Sequence, residues 1–186
     1  MYQGEIKAYI DKEIEVLKSL DILSIEAVMK AIVAAYNAEG NIYIFGNGGS
    51  ASTASHFQND FNKGISEHLD KKFNFICLND NIPTIMAVAN DLGYEHIFEF
   101  QLKGKLRKND LVIGISGSGN SLNVIKAVEY AKSQCVKTIG ITGYDGGKLA
   151  KLADVSFNAP VHDMQITEDV HMVLDHLMMK VLMKSL

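Results

Sequence analysis

The sequence predicts an α/β fold: a three-layer sandwich around a five-stranded parallel sheet, with a helical N-terminal extension and a long C-terminal helix. Three observations carry this. Five short runs are almost wholly apolar, the pattern of strands covered on both faces. Segments of helical periodicity separate them, which makes each connection a crossover and not a hairpin. Two of the runs end directly in loops of glycine, serine and asparagine, at the strand ends where such sheets bind ligands.

Ile6, Ile10, Ile14 and Leu17 recur at helical spacing, and Val28, Ile32 and Ala35 repeat the pattern, so the first 40 residues read as two helices. Ser24 is the expected N-cap of the second and Gly40 its stop. Asn41–Phe45 is the first strand; Gly46-Asn47-Gly48-Gly49-Ser50 follows, then a helix over Ala51–Asn62. Phe73–Leu78 is the second strand, and Ile82–Ala89 a helix with Pro83 in its first turn. Asp110–Ile115 is the third strand, followed by Ser116–Ser121 and a helix to about Ser133. Lys137–Ile141 and Val155–Phe157 are the fourth and fifth strands, and a last helix spans Met164–Lys184.

A chain of 186 residues, 47% apolar and 22% charged, fits one domain over 1–186 and excludes extended disorder. There are 18 lysines plus arginines against 22 acidic residues, and no basic run, so neither a nucleic acid nor a membrane is an expected partner. An anion can still be held by backbone N–H groups. No apolar run approaches the roughly 20 residues that span a bilayer, and the first residues lack the basic-then-apolar order of a secretion signal. Cys77 and Cys135 form neither a disulfide framework nor a Cys-x-x-Cys site, so a cytoplasmic location is expected. The last helix (Val170, Val173, Leu174, Leu177, Met178, Val181, Leu182) and the N-terminal pair carry more apolar surface than five strands need, which predicts a homo-oligomer.

Ser116-Gly117-Ser118-Gly119-Asn120-Ser121 gathers three hydroxyls, two glycines and a helix N-terminus, a combination suited to a phosphate monoester. An ordinary capped turn is the plainer alternative. Gly46-Asn47-Gly48-Gly49-Ser50-Ala51 matches a dinucleotide fingerprint, with Asp80 placed like a ribose-binding acid. Two polar loops on one sheet edge fit a small phosphorylated molecule better than one dinucleotide does. His56 and Asp60 share a helical face, as do Glu168 and His176, eight residues or about 80° apart. Two imidazoles and two carboxylates could hold a metal, although such pairs are more often capped or solvated. Glu168 and His171 form one Glu-x-x-His pair, too few for a di-iron site. His68, His96, His162 and His171 have no partner visible in sequence, and Asn90-Asp91 is a polar turn between apolar segments.

The chain resembles the sugar isomerase (SIS) domain family, and within it the phosphoheptose isomerases. FGNGGSASTASHF (Phe45–Phe57), ANDLGYEHIF (Ala89–Phe98), SGSGNSLNVIKA (Ser116–Ala127), ITGYDGGKLAKLAD (Ile141–Asp154) and EDVHMVLDH (Glu168–His176) carry the resemblance, nearly end to end. It implies a flavodoxin-like SIS fold and a zinc-dependent homotetramer. The implied reaction converts sedoheptulose 7-phosphate to D-glycero-D-manno-heptose 7-phosphate, a precursor of bacterial surface heptose, in a site built by neighbouring subunits. Ser116, Ser118 and Ser121 match phosphate-binding positions, with Gly117 where a threonine is usual. Asn47, Gly48 and Gly49, with the adjoining Ser50, and Asn90 and Asp91 match substrate-contacting segments. His56 matches a metal ligand, and His176 the histidine that binds zinc and moves protons.

Two departures stand out. The family's catalytic glutamate is Asp60, shortening its reach by roughly 1 Å, and a family glutamine is Glu168. Metal ligands His56, Asp60, Glu168 and His176 would then carry two negative charges where the family pattern carries one. On this resemblance Asp60 or Glu168 takes the carbon-bound proton and His176 serves the oxygens. An isomerase of another phosphosugar, or a non-catalytic SIS protein like those that associate with a replication initiator, are the alternatives.

Overall fold

The computed structural model describes residues 1–186 and bears out the predicted architecture. Strands β1 (Ile42–Gly46), β2 (Phe75–Cys77), β3 (Leu111–Ser116), β4 (Lys137–Gly143) and β5 (Val155–Ala159) form one parallel sheet in the order β2-β1-β3-β4-β5. Alternate residues of each strand serve opposite layers, as the two-residue period requires. Ile42, Ile44, Leu111, Ile113, Ile115, Ile139 and Ile141 face a core shared with α1 (Gln3–Lys18), α2 (Ile22–Asn37), α3 (Gly49–Asn59) and α8 (Met164–Ser185). Tyr43, Phe45 and Val112 face a smaller core under α4 (Ile82–Asp91), α5 (Glu99–Leu102), α6 (Leu122–Ser133) and α7 (Gly147–Leu152).

The chain leaves β1 toward β2 and returns across it to β3, so the topological switch lies between β1 and β3. These strands are paired with Gly46 opposite Ile115, which sets the two glycine- and serine-rich loops side by side. A crevice at such a point is where open α/β sheets bind ligands.

Several local expectations change. The N-cap of α2 is Asp21, whose carboxylate accepts from Leu23 N at 3.0 Å; Ser24 instead donates to the Asp21 carbonyl at 2.7 Å. Helix α2 runs to Asn37, and Gly40 N closes its end on the Ala35 carbonyl at 2.9 Å, as expected of a stop. Gly40 is required because a Cβ there would overlap the Asn109 carbonyl. The helix expected to run evenly to Asn62 gives way to a π-helical turn over Asp60–Ile65. Phe61 in that turn is buried against Phe75, ring centroids 4.4 Å apart. Burying such a side chain is worth about 1.5–3 kcal/mol, and the π turn keeps Asp60 and Phe61 both inward. Asn90 and Asp91 end α4 and do not follow it, and α5 and α7 were not legible as helices. Cys135 lies in the exposed turn after α6 at φ 57°, while Cys77 is buried in β2; both are free thiols.

Helix α1 leans on α8 through Tyr9, which donates to the Asp169 carboxylate, and through a 2.7 Å Lys12–Asp163 ion pair. Ile6, Tyr9, Ile10 and Ile14 of α1 remain exposed. No helix is long and apolar enough to cross a membrane.

Candidate active site and metal centre

Three glycines let α8 descend onto the sheet edge. A Cβ on Gly49 would overlap the Glu168 carboxylate, one on Gly117 would come 2.6 Å from Met164 Sδ, and one on Gly143 would meet the Thr167 side chain. Gly48, just before α3, has φ 55° and ψ −124°, a backbone state suited to glycine. The approach of α8 closes a cavity of about 260 Å³ at the switch point. Asn47, Gly48, Gly49 and Ser50 line one wall, and Ser116, Gly117, Ser118 and Ser121 the other. Met164 and the half-buried Glu168 form the roof.

The serine loop is ordered by its own hydrogen bonds. Ser116 Oγ donates to Ser121 Oγ at 3.0 Å, Gly119 N to the Ser116 carbonyl at 2.9 Å, and Asn120 N to Ser118 Oγ at 3.2 Å. Ser121 precedes α6 without capping it by its side chain, so the hydroxyls exceed what helix capping uses. Gly117, where the family pattern has threonine, leaves the space that Met164 fills.

Further along α3 and α8, and outside the lining of that cavity, His56 and Asp60 of α3 and the π turn meet His176 of α8. His56 Nε2 lies 3.0 Å from His176 Nε2, and Asp60 Oδ2 lies 3.5 Å from the first and 3.9 Å from the second. Two neutral imidazoles cannot both direct an N–H along that line. Ligand bonds of about 2.0–2.1 Å in a tetrahedron set ligand–ligand edges near 3.3 Å. The observed triangle brackets that value, so these three residues fit a divalent ion. Glu168 is outside the group: its carboxylate lies over Gly49, and its Cα is two helical turns, about 12 Å, along α8 from that of His176. Three protein ligands with a free position is the pattern of catalytic metal sites.

Behind His176 sits Asp175, fully buried, with no hydrogen-bond partner for either carboxyl oxygen. Burial, reinforced by the charge of Asp60, pushes its pKa up to about 8. His171, one turn earlier, is also fully buried and donates from Nε2 to the Thr142 carbonyl at 2.9 Å. Burial pushes its pKa down to about 4, so it is neutral at pH 7. The His171 bond ties α8 to β4. Asp175 was missed in the sequence, although it occupies a position of the buried stripe His171, Leu174, Asp175, Met178, where a carboxylate is out of place.

The remaining candidates lie apart. Asn90 and Asp91 are exposed, with Asn90 donating to Asp91 Oδ1 at 2.7 Å, and neither lines the cavity. Asp80 accepts from Ser55 at 2.6 Å and Gln58 at 2.7 Å, tying α3 to the β2 end instead of standing ready for a ribose. His96 contacts Glu99 at 2.9 Å and His162 contacts Asp145 at 3.0 Å.

A family model for the SIS domain matches residues 5–143. The chain belongs to the SIS domain family. Within it, a phosphoheptose isomerase of Helicobacter pylori is 37% identical over 92% of this chain and 87% of that protein. One from Vibrio parahaemolyticus is 33% identical over all of both chains. The structure of a phosphoheptose isomerase from Neisseria gonorrhoeae superposes with a TM-score of 0.90, at 30% identity and full coverage of both. Both polar loops lie within the residues that the SIS model matches.

Proposed function

We propose that the protein is a phosphoheptose isomerase that interconverts sedoheptulose 7-phosphate and D-glycero-D-manno-heptose 7-phosphate. The observation that carries this is the His56–Asp60–His176 triangle on the same two helices, α3 and α8, that border a hydroxyl- and glycine-lined cavity at the switch point, in a chain so similar along its length to enzymes of that name. Ser116, Ser118 and Ser121, with the backbone of Gly117, hold the phosphate; Asn47, Gly48, Gly49 and Ser50 hold sugar oxygens. A divalent ion, Zn²⁺ in our reading, held by His56, Asp60 and His176 would supply Lewis acidity to the substrate carbonyl.

The proton work falls to the chain itself. The Glu168 carboxylate faces the cavity and takes a proton from C1 of the ketose. The C–H electron pair becomes the C1=C2 bond of an enediol as the C2 oxygen takes the Nδ1 proton of His176, which the proton of the C1 oxygen later replaces. Glu168 then returns its proton to C2, and His176 removes the proton from the C1 oxygen, leaving the aldehyde. Asp60, nine-tenths buried and between two imidazoles, is better placed to ligate than to reach carbon. The charge at Glu168 gives this chain a base where the family pattern has an amide.

The reading extends to residues 1–186 as one SIS domain, with 1–40 as a helical extension, in a cytoplasmic homotetramer. An apolar groove of about 640 Å³ between α2 and α8, lined by Ile25, Met29, Val33, Leu177 and Val181, supports subunit contact there. Asn90 and Asp91 would meet substrate across a subunit boundary. A proton NMR time course with sedoheptulose 7-phosphate in D₂O tests the reading, with zinc-loaded protein. Aldose formation with deuterium entering at C2 is expected; folded, metal-loaded protein giving neither product nor exchange overturns it.

A further inference from the structure

Asn47 is held by two side chains that neither the phosphate loop nor the metal triangle explains. Val124 N donates to Asn123 Oδ1 at 2.9 Å. A backbone N–H can only donate, so the oxygen of the Asn123 amide must face it. The two amides then pair: Asn47 Nδ2 donates to Asn123 Oδ1 at 2.9 Å, and Asn123 Nδ2 returns a bond to Asn47 Oδ1 at 2.9 Å. With that orientation fixed, the Tyr94 hydroxyl, 2.9 Å from Asn47 Oδ1, is the donor of a third bond. Both lone pairs of Asn47 Oδ1 are thereby filled and one of its two N–H groups is used. One N–H is left over.

We infer that Tyr94 and Asn123 are positioning residues that make Asn47 a hydrogen-bond donor, and never an acceptor, to the bound sugar phosphate. Asn123 is buried and fixed at the start of α6; Tyr94 is exposed and follows Gly93, whose φ of 110° aims the turn. The clamp therefore joins the β1 loop, the segment after α4 and the α6 N-terminus. It selects an acceptor oxygen of the ligand, such as a carbonyl, hydroxyl lone pair or phosphate oxygen, at the place Asn47 lines. A group that can only donate finds no partner there. The inference rests on reading this cavity as the sugar-phosphate site.

The test is a double-mutant cycle with Tyr94→Phe, Asn47→Ala and the pair, measuring kcat and KM for sedoheptulose 7-phosphate, binding by calorimetry, and thermal midpoints. Loss of one neutral hydrogen bond predicts a KM about three- to tenfold higher for Tyr94→Phe, with kcat within about twofold and the melting point held. Asn47→Ala raises KM further, and adding Tyr94→Phe to it changes nothing, because the tyrosine acts through the amide. Effects that multiply overturn the inference, since Tyr94 would then touch the ligand itself. So does a lowered melting point with unchanged KM, the mark of a purely structural bond. Wild-type protein that neither binds nor turns over the heptulose phosphate overturns the reading of the cavity, and the inference with it.

Discussion

Replacing Asp175 with asparagine in metal-stripped protein is expected to change how stability depends on pH, by an amount the structure sets. Asp175 is fully buried with both oxygens unpartnered, and burial together with Asp60 raises its pKa to about 8. In the unfolded chain an aspartate titrates near 3.9. The folded state therefore holds one more proton than the unfolded state across about pH 4–8, and stability falls as pH rises through that window. Four units at 1.36 kcal/mol each amount to about 5 kcal/mol at the upper end, of which about 4 kcal/mol accumulates between pH 5 and 8. Asparagine keeps the shape and cannot ionise. His171, lowered to about 4, has the opposite sign: the unfolded state binds its proton first, so stability rises with pH over about 4–6.5. That contribution is common to both proteins and cancels in their difference. Urea unfolding at pH 5, 6, 7 and 8 with a chelator, at one protein concentration, reads the result. With a slope of about 2 kcal/mol per molar urea, the variant's midpoint should pull ahead of the wild type's by about 2 M between pH 5 and pH 8. An equal gap at pH 5 and pH 8 would refute the assignment of a buried, uncharged carboxyl to this position.

Three further outcomes follow from the site. His176→Ala and His56→Ala should each leave the protein folded but without a stoichiometric divalent ion after dialysis, read by metal analysis, because two remaining ligands hold such ions weakly. Glu168→Gln should lower kcat at least about a hundredfold while metal content stays at one ion per chain; loss of the ion instead would place Glu168 among its ligands. Gly117→Thr should cost about 1–3 kcal/mol of stability by crowding Met164, and Met164→Ala in the same chain should restore most of it, measured as urea midpoints.

The strands, their helical connections and the two polar loops were legible in the sequence because local periodicity and glycine chemistry encode them within a few residues. So was the pairing of His56 with Asp60, one helical turn apart. Boundaries failed where long-range packing overrode local preference. The π turn at Asp60–Ile65 seats Phe61 against Phe75, and Gly40, which closes the end of α2 on the Ala35 carbonyl, also makes room for the Asn109 carbonyl. The serine loop was recognisable, but why it carries Gly117 was not, since Met164 reaches it from another element.

The site itself divides along the same line. Sequence determined which residue types could act as ligand, base or phosphate holder, and the resemblance assigned positions to them. Which ones meet was decided by tertiary structure: His56 and His176 are 120 positions apart and touch, whereas Glu168, on the same helix as His176, turns instead to Gly49. Nothing local reveals that Asp175 is sealed from water or that Asn47, Tyr94 and Asn123 share one set of hydrogen bonds. A side chain's ionisation and its remaining hydrogen-bond capacity depend on what surrounds it in space. Those surroundings come from segments distant along the chain, so they exist only once α8 has docked onto the sheet.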